Sequence, residues 1–189
     1  YLKYLKEFQK KYQAYKKSLS YLDFNDLEHM AVKILYNFDE NSGLFAVSEE
    51  AETLQRDFYE IMTDEYQDSN LVQEILLNSI SGESRGLHNL FMVGDVKQSI
   101  YKFRLAKPEL FLEKYESYGK EDGLYQKIEL HKNFRSRPEV LCSINDVFYR
   151  IMTKQLGNIR YTDDAALYPG ADFPVTPVDG QSKTEVLLL

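Results

Sequence analysis

Two short apolar runs, "FYEIM" at 58–62 and "LFMV" at 90–93, each stop at acidic residues, and a segment of helical period lies between them. In that segment, "SNLVQEILLNSI", Leu71/Val72, Ile75/Leu76 and Ser79/Ile80 recur four apart behind a Ser69 or Asn70 cap. Strand, helix and strand in that order, with Asp64 and Asp95 31 positions apart, is the size of one βαβ unit, and its strands are expected to be parallel. Both aspartates then sit at the carboxyl edge of one sheet, where open α/β sheets bind ligands. The spacing predicts an α/β chain with a parallel sheet flanked by helices, its strands buried.

Helices dominate what comes before. "YLKYLKEFQKKYQAYKKSL" sets Leu5, Phe8, Tyr12 and Tyr15 on one face among lysines, an amphipathic helix whose basic side is either solvated or placed to meet phosphates. "DFNDLEHMAVKILYNF" reads as a second helix capped by Asp23 or Asn25, with Leu27, Met30, Ala31, Ile34 and Leu35 inward, broken by "NSG" at 41–43. A third is opened by Ser48, with Glu49 and Glu50 at its positive end, and runs to about Arg56. Downstream, "SGESRG" is a loop and "KPELFLEKYESY" a helix with Pro108 at its start. "LYQKIEL" is a strand candidate, and "PEVLCSINDVFYRIMTKQ" is a helix opened by Pro138. Past Gly157 the chain is loop-rich until "EVLLL", which reads as a terminal strand.

At 189 residues, 43% hydrophobic and 28% charged, the chain can bury a core. A formal charge of -7 argues against nucleic-acid binding through overall basicity but leaves room for a local basic groove. One cysteine, Cys142, rules out an internal disulfide and a cysteine-rich zinc site, and His29, His88 and His131 lack metal-ligand spacing. No stretch approaches the roughly 18 apolar residues of a membrane span, so a cytoplasmic, non-membrane protein is the expectation. A start at Tyr1 without methionine and an end on "EVLLL" predict a piece of a longer protein.

Three clusters carry candidate chemistry. In "IMTDEYQDSN", Asp64 past a strand end suits a Mg2+ ion and Glu65 an attacking water, the Walker B pattern of nucleotide hydrolases; an exposed acidic turn is the bland alternative. In "VGDVKQSIYKFR", Gln98 follows the second strand closely enough to sense a terminal phosphate. Tyr101 and Phe103 alternate there with Lys102 and Arg104, as base stacking with phosphate contact requires, or as a strand with its aromatics in the core would also read. In "NFRSRP", Arg135 and Arg137 suit phosphate oxygens and Phe134 offers a flat face to a nucleobase, although arginines at a turn are common. No G-x-x-x-x-G-K-[ST] loop occurs in these residues; Gly119-Lys120 is followed by Glu121.

In this order, "DFNDL", "TDEYQDSN", "VGDVKQSIYKFRLAKPELF" and "LHKNFRSRPEVL" closely resemble successive motifs of superfamily 1 DNA helicases of the UvrD, Rep and RecB type. "FRLAKPELF" and "NFRSRPEVL" look more like the AddA (RexA) subunits of AddAB helicase-nucleases than like UvrD, and the four motifs together span about residues 20–171. The resemblance implies a partial RecA-like P-loop NTPase domain. Residues 1–55 would be a helical segment at the end of domain 1B, 56–130 the latter part of domain 1A, and 131–189 the beginning of a second RecA-like domain, 2A. It implies ATP and Mg2+ as cofactors, with Asp64 on the metal, Glu65 activating water, Gln98 and Arg135 at the γ-phosphate and Phe134 near the adenine. Tyr101, Phe103 and Arg104 would line the path of single-stranded DNA. Implied partners are DNA and the AddB (RexB) subunit; the Walker A loop, later helicase motifs and iron-sulfur nuclease domain lie outside these residues. Leu105 replaces a glycine usual in UvrD-type proteins, Phe134 a tyrosine and Ser69 a threonine. Two other classes stay open: a metal-dependent nuclease using Asp64, Glu65, Asp68 and Asp95, and a nonenzymatic module binding single-stranded DNA or a partner.

Overall fold

The computed structural model describes residues 1–39, 43–157 and 159–174. The strand expected at "EVLLL" lies outside the described residues. The chain divides into two compact units that adjoin in sequence at Lys114 and Tyr115.

In the first unit, α1 (Leu2–Ser18) and α2 (Phe24–Leu35) are joined by a tight polar corner. Asp23 caps α2: its side chain accepts from the Asp26 amide, and Asp26 accepts in return from the Asp23 amide, each at 2.9 Å. The buried Lys16 ammonium donates to both carboxylates, at 2.7 and 2.6 Å. Its hydrogen bond holds the Asp26 carboxyl down at about 2. The expected inward stripes are not buried. Leu5, Phe8, Tyr12 and Tyr15 of α1 and Leu27, Met30 and Ile34 of α2 are exposed, and only Leu35 of the α2 set is buried. Helical period marks a face that is apolar; it does not supply the surface that covers it.

The second helix also ends earlier than its pattern suggests. Tyr36 is extended, and β1 (Tyr36–Asp39) pairs antiparallel with β2 (Leu44–Val47), with Phe38 opposite Phe45 and their rings 5.0 Å apart. Gly43, at a φ of +67°, takes the left-handed conformation before β2. The "YNF" tail thus belongs to a hairpin, aromatic residues suiting either element until a partner strand selects one.

α3 (Glu49–Asp57) starts as expected at Ser48, whose hydroxyl accepts from the Ala51 amide. β3 (Ile61–Thr63), α4 (Leu71–Ile80) and β4 (Leu90–Met92) realise the βαβ unit, with β3 and β4 parallel and Ile61, Met62 and Thr63 beside Leu90, Phe91 and Met92. Asn70, rather than Ser69, caps α4 in a reciprocal box with Gln73. The first apolar run forms a shorter and less buried strand than expected: Phe58 follows α3, and Met62 is 70% exposed. Paired strands cover each other's edges, and a sheet face is buried only where another layer packs on it, so an apolar run does not ensure burial. Burial lies instead where α3 meets α4, around Ala51, Gln55, Ser79 and Ser81, with Gln55 donating to the Ser79 carbonyl at 2.8 Å.

α5 (Pro108–Ser117) crosses the boundary between the units. In the second unit "LYQKIEL" is not a strand; it carries a single bridge, Gly119 to Gln126, and Leu124, Ile128 and Leu130 are exposed. Glu129 instead accepts from Tyr115 and pairs with Lys120, both at 2.5 Å. β5 (Lys132–Asn133) and β6 (Tyr168–Pro169) form a short parallel pair. α6 (Pro138–Ile151) stops before the expected Gln155, because Met152 is extended and a separate turn, α7 (Lys154–Gly157), follows.

Candidate nucleotide-hydrolysis site

The acids leave β3 in a turn that is tied to the end of β4. Val93 donates to the Thr63 carbonyl at 2.8 Å, and Tyr66 donates to the Val93 carbonyl at 2.9 Å. Between them Asp64 and Glu65 are exposed, and the Asp64 carboxylate accepts from the Glu65 amide at 2.9 Å. Glu65 has φ +49° and ψ +41°, the left-handed region that a non-glycine residue enters at a cost of about 1–2 kcal/mol. The residues that follow hold it there, forming a 3-10 turn, Tyr66–Asp68.

Tyr66 and Gln67 are both 1% exposed and anchor that turn on opposite sides. The Tyr66 hydroxyl donates to the buried Glu74 carboxylate, which also accepts from Lys114 at 2.9 Å and Asn78 at 3.3 Å. Burial works to raise the Glu74 carboxyl, and these hydrogen bonds outweigh it, holding it below the usual glutamate value. Gln67 faces the acidic turn and the segment after β4. Its Nε2 donates to Glu65 Oε2 at 2.6 Å, and its Oε1 accepts from the Asp95 amide at 2.9 Å.

Asp95 continues the chain of contacts. Its carboxylate accepts from the Lys97 amide at 3.0 Å and pairs with the Lys97 ammonium at 2.8 Å through one oxygen. The other oxygen accepts from Gln98 Nε2 at 3.0 Å. A continuous path of hydrogen bonds therefore runs from Glu65 through Gln67 and Asp95 to Gln98. Asp68 is set apart: burial, with the Glu65 charge adding to it, pushes its carboxyl up, and its Oδ1 is buried without a hydrogen-bond partner.

The aromatic and basic residues form a second cluster on the segment that leaves this site. Tyr101 and Phe103 are neither in a strand nor in the core; Tyr101 precedes a 3-10 turn, Lys102–Arg104, Phe103 lies within it, and Phe103 is 76% exposed. Their rings lie 5.9 Å apart, with the Arg104 guanidinium 5.3 and 5.7 Å from the two centroids. Leu105 closes the turn at a φ of +66°, the conformation glycine adopts at no steric cost. The segment returns to the acidic turn where Lys107 donates to the Ser69 carbonyl at 2.8 Å.

Phe134 and Arg135 lie in the second unit, on the turn after β5. Asn133 Oδ1 accepts from the Arg135 and Ser136 amides at 3.0 and 2.8 Å, which fixes the turn and leaves the Arg135 side chain exposed. Phe134 is also exposed, yet one face of its ring rests on Gly170, where a Cβ would come within 2.7 Å of the ring.

The structure thus brings Asp64, Glu65 and Gln98 to one edge and groups Tyr101, Phe103 and Arg104 beside each other in sequence and space. Residue type and spacing assign no role to Gln67, Gly94, Asn133 or Gly170. Gly94 matters because a Cβ there would lie 2.5 Å from Gln67 Oε1. Nothing local in the sequence marks a contact between residues 67 and 95.

A parallel β–α–β unit whose first strand delivers adjacent acids to its carboxyl edge has the arrangement in which open α/β folds bind ligands. The model of the UvrD/REP helicase N-terminal domain matches residues 1–119, and the chain belongs to that family. It is 51% identical over 191 residues to a protein of Lachnoclostridium phytofermentans named as the A subunit of an ATP-dependent helicase/nuclease, covering 97% of this chain and 14% of that protein. Proteins of the same name from Clostridium beijerinckii and Thermoanaerobacter pseudethanolicus are 47% identical over 167 residues and 49% over 173, covering 88% and 91% of this chain. The chain spans 13–14% of the length of these relatives. Among the described residues no helix is long and apolar enough to cross a membrane.

Proposed function

We propose that these residues are part of an ATP-dependent DNA helicase-nuclease of the AddA type, which uses ATP hydrolysis to move along single-stranded DNA and unwind duplex ends in break repair and recombination. The observation that carries the reading is the path Glu65–Gln67–Asp95–Gln98, because it joins the acid that would activate water to the glutamine that would sense the terminal phosphate. Beyond Gln98 the same segment presents Tyr101, Phe103 and Arg104, a stacking surface with a cation beside it.

Asp64 suits Mg2+, which takes one or two carboxylates along with phosphate and water oxygens. Bound MgATP would supply the phosphoanhydride, with the metal neutralising charge on its phosphates. Glu65 takes the proton of the attacking water, Gln98 and Arg135 bind the γ-phosphate, and Phe134 stacks near the adenine. On this reading residues 1–55 close domain 1B, 56–130 belong to domain 1A and 131–189 open domain 2A. The protein works in the cytoplasm with an AddB (RexB) partner, and these 189 residues alone do not turn over ATP, since positioning the phosphates needs a Walker A lysine.

A self-contained nuclease using Asp64, Glu65, Asp68 and Asp95 is the weaker reading. Among the described residues no three His, Cys, Asp or Glu side chains are grouped to hold a metal, and Asp95 is already paired with Lys97. Glu65→Gln in the full-length protein is the test: MgATP still binds and hydrolysis is nearly abolished. Undiminished turnover would defeat the assignment.

A further inference from the structure

We infer that Gln67 is the positioning residue that couples Glu65 to the segment carrying Gln98 and the DNA-facing aromatics. This rests on the roles proposed above for Glu65 and Gln98.

Both ends of the Gln67 carboxamide are committed. The donor end needs a carboxylate and the acceptor end needs an N–H, so the bonds to Glu65 at 2.6 Å and to the Asp95 amide at 2.9 Å define one orientation of the group. The Gln67 side chain is itself buried, and Gly94 has space for nothing larger than hydrogen against Oε1. The left-handed backbone of Glu65 depends on support from this turn.

The geometry makes the turn a clamp on the segment from Asp95 to Lys107. One end is held by the Gln67 side chain and the other by the Ser69 carbonyl, which accepts from the Lys107 amide. Between these points lie Gln98, Tyr101, Phe103 and Arg104. A displacement of Gln98 is therefore transmitted through Asp95 to Gln67, and from Gln67 to the Glu65 carboxylate. A nearly free Glu65 would sample positions away from its water, and misplacement of about 1 Å at a reacting group costs on the order of 100-fold in rate.

Two variants separate the bonds. Gln67→Glu keeps an acceptor for the Asp95 amide and, when ionised, sets a second carboxylate against Glu65 in place of the donor; Gln67→Met, of similar length, loses both bonds. In the full-length protein, four readouts apply: affinity for a nonhydrolysable ATP analogue with Mg2+, kcat and KM for ATP, stimulation by single-stranded DNA, and hydrogen exchange of the peptide spanning 93–98. Gln67→Glu is expected to keep analogue affinity and exchange protection while kcat falls on the order of 10- to 100-fold. Gln67→Met is expected to show the same loss of kcat, loss of DNA stimulation and faster exchange at 93–98. Wild-type kcat in Gln67→Glu overturns the proposal, as does wild-type exchange in Gln67→Met. Glu65→Gln is run beside them. If it hydrolyses ATP normally, the functional reading fails; if it is dead while both Gln67 variants match wild type, only the coupling role fails.

Discussion

Gly94→Ala tests the site at its tightest point. The added methyl would sit 2.5 Å from Gln67 Oε1, about 1 Å inside ordinary contact, and 3.3 and 3.4 Å from the amide nitrogens of Gln67 and Tyr66. The backbone cannot yield cheaply, because the Tyr66 amide is bonded to the Val93 carbonyl across the strand pair. Gln67 must therefore swing, and its bond from the Asp95 amide breaks. Leaving that donor unsatisfied costs about 1–3 kcal/mol, and residual overpacking adds about 1–3 kcal/mol. The lower chain entropy of alanine in the unfolded state returns about 0.4–1 kcal/mol. The net loss of about 1–5 kcal/mol, centred near 3, corresponds to a fall in Tm of roughly 6–12 °C at that centre for a chain of this size. Urea and thermal unfolding of wild type and variant, with hydrogen exchange over 93–98, measure it. A midpoint within about 0.5 kcal/mol of wild type, together with unchanged exchange at Asp95, would show that the carboxamide is not held as described.

The left-handed Leu105 predicts that Leu105→Gly changes stability by less than about 1 kcal/mol, relief of strain and added chain entropy opposing each other, whereas β-branched Leu105→Val loses more; chemical denaturation ranks the three. Tyr101→Ala and Phe103→Ala should each weaken binding of a labelled single-stranded oligonucleotide by about 1–3 kcal/mol in fluorescence anisotropy, and wild-type affinity in both would remove them from the DNA path. Because the Glu74 carboxyl is held below its ordinary 4.5, its ion pair stabilises fully above that value and is lost as pH falls through the lower folded value; the stability gap between wild type and Glu74→Gln should close on acidification below about pH 4. Asp68 has the opposite sign: its carboxyl is raised, so ionisation costs stability at neutral pH, and Asp68→Asn should unfold at higher urea than wild type at pH 7 and lose that advantage in acid.

Several features of this chain are written in local runs of residues. Ser48 and Asn70 at helix starts, Pro108 and Pro138 at first helical positions, and the period-four pattern of α4 predict elements that form. The distance from Asp64 to Asp95 predicts that their strands are parallel neighbours, and they are. These readings succeed because capping, proline geometry and a crossover of fixed length act within a few residues or along one connection. The acids, Gln98 and the aromatic cluster could be singled out in the same way, since their chemistry is carried by residue type.

What the tertiary structure decides is what each group touches. "YNF" becomes a strand because Phe45 stands opposite it, and "LYQKIEL" does not because no neighbouring strand pairs along it among the described residues. The apolar stripes of α1 and α2 have the right period and remain exposed, since burial depends on a covering surface. Gln67 stands inside "TDEYQDSN", yet that run does not say what it touches: its contacts are a bond to the backbone of Asp95, 28 positions away, and the space left by the missing Cβ of Gly94. Period and capping are properties of a segment, whereas hydrogen bonds and close contacts across a sheet edge exist only once two distant segments have been brought together.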